Sequence, residues 1–235
     1  MCGEDGGGKV GFMNGTSWVD AHCHLHLLGE KQDAIRSRCA GWRGWMVNAV
    51  TEEDWGLLEE WTINDARIVP CFGIHPWEVD DAGTGWEERL VAQLNRLPQA
   101  QVGETGLDRT RNGGGWERQV ALFRSHLSVA HRLGRKIVIH GVRAEDRLRE
   151  VVEDMGVPEA GILLHAWQGS AESARWWVKR GAYFSFNRQH CRSARAQEAF
   201  RQIPVDRLLV ETDMAGPEFL PMFYDGVGRL GSSRP

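Results

Sequence analysis

Eight short apolar runs, separated by amphipathic stretches, follow one another between residues 18 and 211, and this alternation restricts the fold more than any other property of the chain. The runs lie at 18–23, 45–50, 67–74, 101–106, 136–139, 161–164, 182–186 and 207–211. Each is short and apolar enough to be a strand buried on both faces. Between them the spacing predicts helices near 30–40, 52–61, 86–97, 116–133, 144–155, 171–180 and 193–202. The clearest is 116–133, with Val120, Phe123, Leu127 and Ala130 on one face and Gly134 as its stop. Doubly buried strands alternating with helices imply a parallel sheet, and eight of them fit a (β/α)8 TIM-type barrel better than an open sheet. One barrel domain is expected over residues 18–235, preceded by a flexible tail, 1–17, with six glycines and little to bury.

The predicted helices number seven against eight strands, and only 22 residues, rich in Gly and Pro, follow Asp213. The final helix is therefore expected to be lacking through C-terminal truncation. The first and last strands would then share an apolar flank, to be covered by residues 219–224 or by a partner subunit. A hydrophobic content of 42% supports a sizeable core, and a net charge of −4 argues against global attraction to nucleic acid without excluding a local site. The five cysteines, Cys2, Cys23, Cys39, Cys71 and Cys191, contain no CxxC pair and read as reduced thiols, which predicts a cytoplasmic protein. No run is long enough to span a membrane, and no signal-peptide core is present.

Ionisable residues stand at most of the predicted strand ends. They are His22 and His24 after the first strand, His75 after the third, Glu104 and Asp108 at the fourth, His140 at the fifth, His165 at the sixth and Asp213 at the eighth. A core has no need of such groups, because each costs desolvation unless paired or metal-bound. The carboxyl ends of barrel strands are where chemistry is placed. Residues two apart on a strand share a face, so His22, His24 and, if the strand lasts, His26 project together. Four imidazoles (His22, His24, His140, His165) with two carboxylates make a cage for two cations, with Glu104 as the central candidate for a bridge. Such a pair can clamp both oxygens of a phosphodiester and activate a water, whose proton Asp213 can take.

The segments VDAHCHLH, FGIHP (72–76), GETGLD (103–108), IVIH (137–140), HAWQGS (165–170) and VETD (210–213) fall in the order and spacing of the TatD-type metal-dependent deoxyribonucleases of the amidohydrolase superfamily. The chain resembles that family over residues 18–213. The resemblance implies a barrel hydrolase with one or two divalent ions (Mg, Zn or Mn) that cleaves phosphodiester bonds of DNA, single-stranded by preference, as a 3′–5′ exonuclease. It implies that His22, His24 and Asp213 hold one metal, that His140 and His165 hold the other, and that Glu104 bridges, with Glu104 and Asp213 as the catalytic carboxylates. His75 would touch substrate. The chain departs from the family pattern at His26, where Asp is usual, and at Val142, where Arg is frequent; Arg143 substitutes only with a shifted backbone. The Pro that closely follows the last Asp is displaced to Pro217.

Asp108 either orients the bridging region or caps the next segment. Of eleven tryptophans, Trp42, Trp45, Trp55, Trp61, Trp86, Trp116, Trp176 and Trp177 are expected to pack between barrel and helices. Trp77 and Trp167 sit just past strand ends, where an aromatic can stack on a base; packing is the favoured reading for Trp77, and Trp167 is the candidate for stacking, with packing the open alternative. Arg188, Arg192 and Arg195 form a basic loop after strand seven, with Arg188 the candidate phosphate contact. His26, His126, His131 and His190 are assigned to surface or packing. Two rival readings stay open: a barrel hydrolase of an ester or amide such as misacylated tRNA, and a catalytically impaired remnant.

Overall fold

Eight parallel strands pair in chain order: β1 (Val19–Cys23), β2 (Gly44–Asn48), β3 (Ile68–Phe72), β4 (Gln101–Asp108), β5 (Ile137–Val142), β6 (Ile162–Leu164), β7 (Tyr183–Phe186) and β8 (Leu208–Val210). The computed structural model describes residues 18–29, 31–39, 41–110, 115–187, 190 and 193–213. Every neighbouring pair from β1–β2 to β7–β8 runs parallel. At the seam the Asp213 amide donates to the His22 carbonyl at 3.0 Å. Beside it the Thr212 amide and hydroxyl donate to the Asp20 carboxylate at 3.0 and 2.6 Å. The result is a nearly closed barrel, as the alternation predicted.

The helices are α1 (Lys31–Arg38), α2 (Asp54–Asn64), α3 (Trp86–Arg96), α4 (Trp116–Leu133), α5 (Glu145–Met155), α6 (Ala171–Val178) and α7 (Ala194–Phe200). In α4 the apolar stripe Val120, Phe123, Leu127 and Ala130 is buried against the barrel, and Gly134 ends it in the left-handed region (φ 60°), its amide returning to Ala130 and His131. In α5 Leu148, Val151 and Val152 form the inward stripe. Ser170 and Ser193 cap α6 and α7 by accepting the amides three residues on. Among the largest fully buried side chains are Trp45, Trp177, Phe72, Phe123 and Phe184, each contributing roughly 1.5–3 kcal/mol by burial. Trp45 lies on β2.

Cys23 and Cys71 are buried free thiols, and Cys39 is buried as well. No helix among the described residues is long and apolar enough to cross a membrane. Val19 and Val210, on the two strands at the seam, are 50% and 39% exposed. The expected tail 1–17 and the expected loss of a closing helix after Asp213 concern residues outside those described.

His126, on α4, is fully buried and packs the loop that leaves β3. Its Nδ1 donates to the Leu122 carbonyl at 2.9 Å, its Nε2 accepts the Ile74 amide at 3.2 Å, and Trp86 stacks on it at 4.6 Å. Burial lowers its pKa to about 4. In the unfolded chain the imidazole titrates near 6.5. The fold therefore keeps His126 neutral: its contribution is complete above pH 6.5 and is lost as pH falls toward 4, an effect of about 3 kcal/mol at most. Urea midpoints at pH 7.5 and pH 5 should show this slope in the wild type and a flatter one in His126→Gln. An equal slope in both would assign the acid sensitivity elsewhere.

Candidate metal centre

β4 supplies the centre of the site. Its register against β5 shifts between Val102 and Thr105, a bulge that re-aims Glu104 into the barrel mouth. Close backbone packing is possible there because Gly73 and Gly106 carry no Cβ. One built on Gly73 would lie 2.6 Å from the Glu104 carbonyl oxygen.

Glu104 is 1% exposed and spans two groups of imidazoles. Its Oε1 lies 2.6 Å from His165 Nε2 and 2.8 Å from His140 Nδ1. Its Oε2 lies 3.2 Å from His22 Nε2 and 3.1 Å from His24 Nε2, and those two nitrogens are 3.2 Å apart. Asp213 Oδ1 stands 3.7 and 3.8 Å from the same two nitrogens. The rings of His22 and His165 stack at 3.8 Å. All six side chains expected to form the cage thus converge on one mouth of the barrel.

The tautomers show what such a cluster can hold. His24 Nδ1 faces the Asn48 carbonyl at 2.8 Å and must donate to it, which leaves the Nε2 lone pair aimed at Glu104. His140 Nε2 faces Asp108 Oδ2 at 3.2 Å, and its Nδ1 faces Glu104 Oε1 at 2.8 Å. Glu104 Oε2 is buried and accepts no hydrogen bond, although two imidazole nitrogens surround it. Acceptors aimed at acceptors repel unless a cation lies among them. Nitrogen and oxygen ligands about 2.1 Å from a shared ion sit about 3.0–3.4 Å apart at tetrahedral or octahedral angles, which is the spacing seen around Oε2. The residues therefore fit a divalent metal.

Electrostatics agree. Burial alone would raise the Glu104 pKa, but His165, His22, His75 and the hydrogen bond to His140 outweigh it and hold the carboxyl well below its usual range. Burial, with the neighbouring His165, lowers the His22 pKa to about 4, so that imidazole is neutral and free to ligate. Burial opposes charge on His140 as well. Its hydrogen bonds to Asp108 and Glu104 prevail, however, and push its pKa to about 9. A proton thus stands where a metal would displace it, and metal binding is expected to release protons.

His75 plays a different part. Its Nδ1 accepts the Trp77 amide at 3.1 Å, so Nε2 carries the proton and points it toward Glu104 Oε1, 3.4 Å away, and His140 Nδ1, 3.3 Å away. In this tautomer it donates into the cluster, and with Glu104 and His140 it also forms a group whose ligand atoms lie within 4.8 Å of one another, close enough to share an ion. Asp108 both orients and caps: Oδ2 holds His140 and the Trp77 indole N–H (2.7 Å), while Oδ1 accepts from the Thr110 amide and hydroxyl.

A family model described as TatD related DNase matches residues 19–225. The chain belongs to that family. Among its relatives, an uncharacterized metal-dependent hydrolase TatD of Mycobacterium tuberculosis is 33% identical, over 83% of this chain and 78% of that protein. The 3′-5′ ssDNA/RNA exonuclease TatD of Salmonella typhimurium is 29% identical, over 82% and 75%. The crystal structure of YjjV, a TatD homolog from Escherichia coli, superposes with a TM-score of 0.76 at 25% identity, covering 83% of this chain and 78% of that one. The protein is a TatD-family metal-dependent hydrolase.

Within this TatD-type site, several expectations change. Trp167 is 6% exposed, set edge-on to Phe184 at 5.1 Å and pressed against Gly169; it lies in the core, with no face for a base. Trp77, expected to pack, is 40% exposed. His26 does not continue the face of His22 and His24. The strand ends at Cys23, and a 3-10 turn (Leu25–Leu28) swings His26 into a buried position 3.4 Å from Asp54. Arg143 is exposed just past β5 with φ 51°. Arg188 and Arg192 lie outside the described residues, and Arg195 is exposed on α7.

Sequence reasoning missed three buried residues that set the TatD site: Asn48, whose carbonyl fixes His24, Asp20, which ties β1 to Thr212, and Glu211. Glu211 Oε1 accepts the Ala166 amide at 3.0 Å, which holds the turn after His165, and Oε2 meets Ser185. Burial and the neighbouring Asp213 push its pKa well above the usual range. An acidic residue within an apolar strand run was the available signal, and the strand-end argument applied to it as much as to Asp213.

Proposed function

We propose that this chain hydrolyses phosphodiester bonds of single-stranded nucleic acid, DNA first, from the 3′ end. The observation that carries the reading is Glu104, one buried carboxylate presenting each of its oxygens to a separate set of imidazoles. His22, His24 and Asp213 would hold one divalent ion and His140 with His165 a second, with Glu104 shared. When bound, such ions lower the pKa of a water and neutralise phosphate charge. The chain's own groups do the rest. Asp213 is the proton acceptor: burial is outweighed by His165, His22 and His24, which hold its carboxyl below the ordinary range and keep it ionised. The N–H of His75 points at the place where a phosphate oxygen would sit beside His140. Arg143 and Arg188 are the proposed phosphate contacts. The 3′–5′ polarity is supported by the name of the Salmonella relative.

The test is a 5′-labelled single-stranded oligonucleotide incubated with the protein and Mg or Mn. A ladder that shortens from the 3′ end and disappears with chelator is the expected result. Hydrolysis of an aminoacyl-tRNA ester with no cleavage of the oligonucleotide would replace this reading with the acyl-ester one.

A further inference from the structure

We infer that Glu211 is a positioning residue for the second of the two ions: it keeps the lone pair of His165 on Nε2, where that ion would be held. The inference rests on the paired-ion reading above. His24, His140 and His165 each turn one ring nitrogen toward Glu104. The other nitrogen of His24 meets the Asn48 carbonyl at 2.8 Å, and that of His140 meets Asp108 at 3.2 Å. His165 differs. Its Nδ1 is buried and makes no hydrogen bond among the described residues, and the carboxylate oxygen facing it is Glu211 Oε2 at 3.9 Å. That distance is beyond a hydrogen bond, so the contact acts through charge.

A neutral imidazole carries one proton, and a nearby carboxylate favours it on the nitrogen it faces. With the proton on Nδ1, the free pair lies on Nε2, 2.6 Å from Glu104 Oε1. The plane of the ring is set by His22, which stacks on it at 3.8 Å and 9°. Glu211 is itself fixed. Its Oε1 accepts the Ala166 amide at 3.0 Å, its Oε2 accepts the Ser185 hydroxyl, and its own amide donates to the Phe186 carbonyl at 3.0 Å. Ala166, next after His165, holds φ 46°, a conformation that is costly for a residue with a Cβ and that this tie secures. The pKa of Glu211, raised in the metal-free cluster, falls once a dication stands behind His165. The three residues after β8 thus divide the work: Glu211 serves His165, Thr212 binds Asp20, and Asp213 faces His22 and His24.

Mn2+ titrations of chelator-treated protein, followed by calorimetry, test this in two backgrounds. His24→Ala disables the first site and leaves the second; His140→Ala does the opposite. Glu211→Gln can keep the bonds to Ala166 and Ser185 but carries no charge. Added to His24→Ala, it should weaken Mn2+ binding by about 10–100-fold; added to His140→Ala, by less than about 3-fold. A merely structural role would weaken both alike. Equal loss in both backgrounds, or no loss in His24→Ala, overturns the inference. The wild type gives an independent reading. Nitrogen NMR of the imidazoles in the Zn2+-loaded protein should show His165 protonated at Nδ1, its signal assigned by its loss in His165→Gln; protonation at Nε2 overturns the inference. Metal counts on the same samples keep the two ideas apart. One ion per chain, weakened by Glu211→Gln and with His165 protonated at Nδ1, removes the paired-ion reading and upholds the role of Glu211. Two ions, both indifferent to Glu211→Gln, do the reverse.

Discussion

Glu104→Gln is expected to cut metal-dependent hydrolysis by more than about 100-fold while leaving the barrel folded. Loss of a group that merely supports a ligand costs 10–100-fold in affinity or activity, and Glu104 is placed to be a ligand itself, to both sites. The amide is isosteric but replaces one carboxylate oxygen with a donor and removes the negative charge. Its NH2 would face either the His22–His24 pair or the His140–His165 pair, whose ring nitrogens face the carboxylate. The variant can thus satisfy by hydrogen bonds what the wild type satisfies with a cation. Its metal-free melting temperature should match or exceed that of the wild type, and added metal should no longer raise it. Thermal melts with and without Mg or Mn, with metal content measured on the same samples, check both parts. Full activity in the variant would remove Glu104 from the mechanism.

Gly106→Ala should be the most damaging single methyl addition among the described glycines. Gly106 pairs in register with His140, and a Cβ there would lie 2.0 Å from the His140 carbonyl oxygen and 2.9 Å from its carbonyl carbon and amide nitrogen. Its φ of 146° is also one that an L side chain rarely adopts. The obstructing atoms are backbone, so relief requires β4 and β5 to part at the point where they present Glu104 and His140. A loss of about 4 kcal/mol or more is expected, a large share of the 5–15 kcal/mol of a typical domain. Urea unfolding at pH 7.5 measures it; a change under about 1 kcal/mol would mean that the strands can separate locally at little cost.

The barrel was legible because periodicity reports burial directly. The run 137–140 could be placed as a doubly covered strand, and the stripe of 116–133 as a helix facing it, from apolar spacing alone. Strand ends were less legible. β4 and β5 run on to Asp108 and Val142 because Leu107 and Asp108 still pair with Gly141 and Val142, which is a property of the partner strand rather than of either segment. The convergence of His22, His24, Glu104, His140, His165 and Asp213 was also readable, since parallel strands in a barrel deliver their carboxyl ends to one mouth.

The two tryptophans show where reading stops. Trp77 and Trp167 both stand just past a strand, and their local sequences give no sign of which is covered. Trp167 turns back because Gly169 leaves room for its ring: a Cβ there would lie 2.3 Å from it. Trp77 stays at the mouth because its N–H reaches Asp108, 31 residues away. The amino-acid sequence by itself determined the strand order, the covered helix faces and the roster of ligand-type residues, all of which follow from periodicity and from the cost of burying ionisable groups. The tertiary structure alone decided which nitrogen of each imidazole faces inward, which buried carboxylates support the site and which aromatic meets solvent. Those outcomes depend on hydrogen-bond partners such as Asn48, Asp108 and Glu211, brought together from distant strands, and no local pattern encodes such meetings.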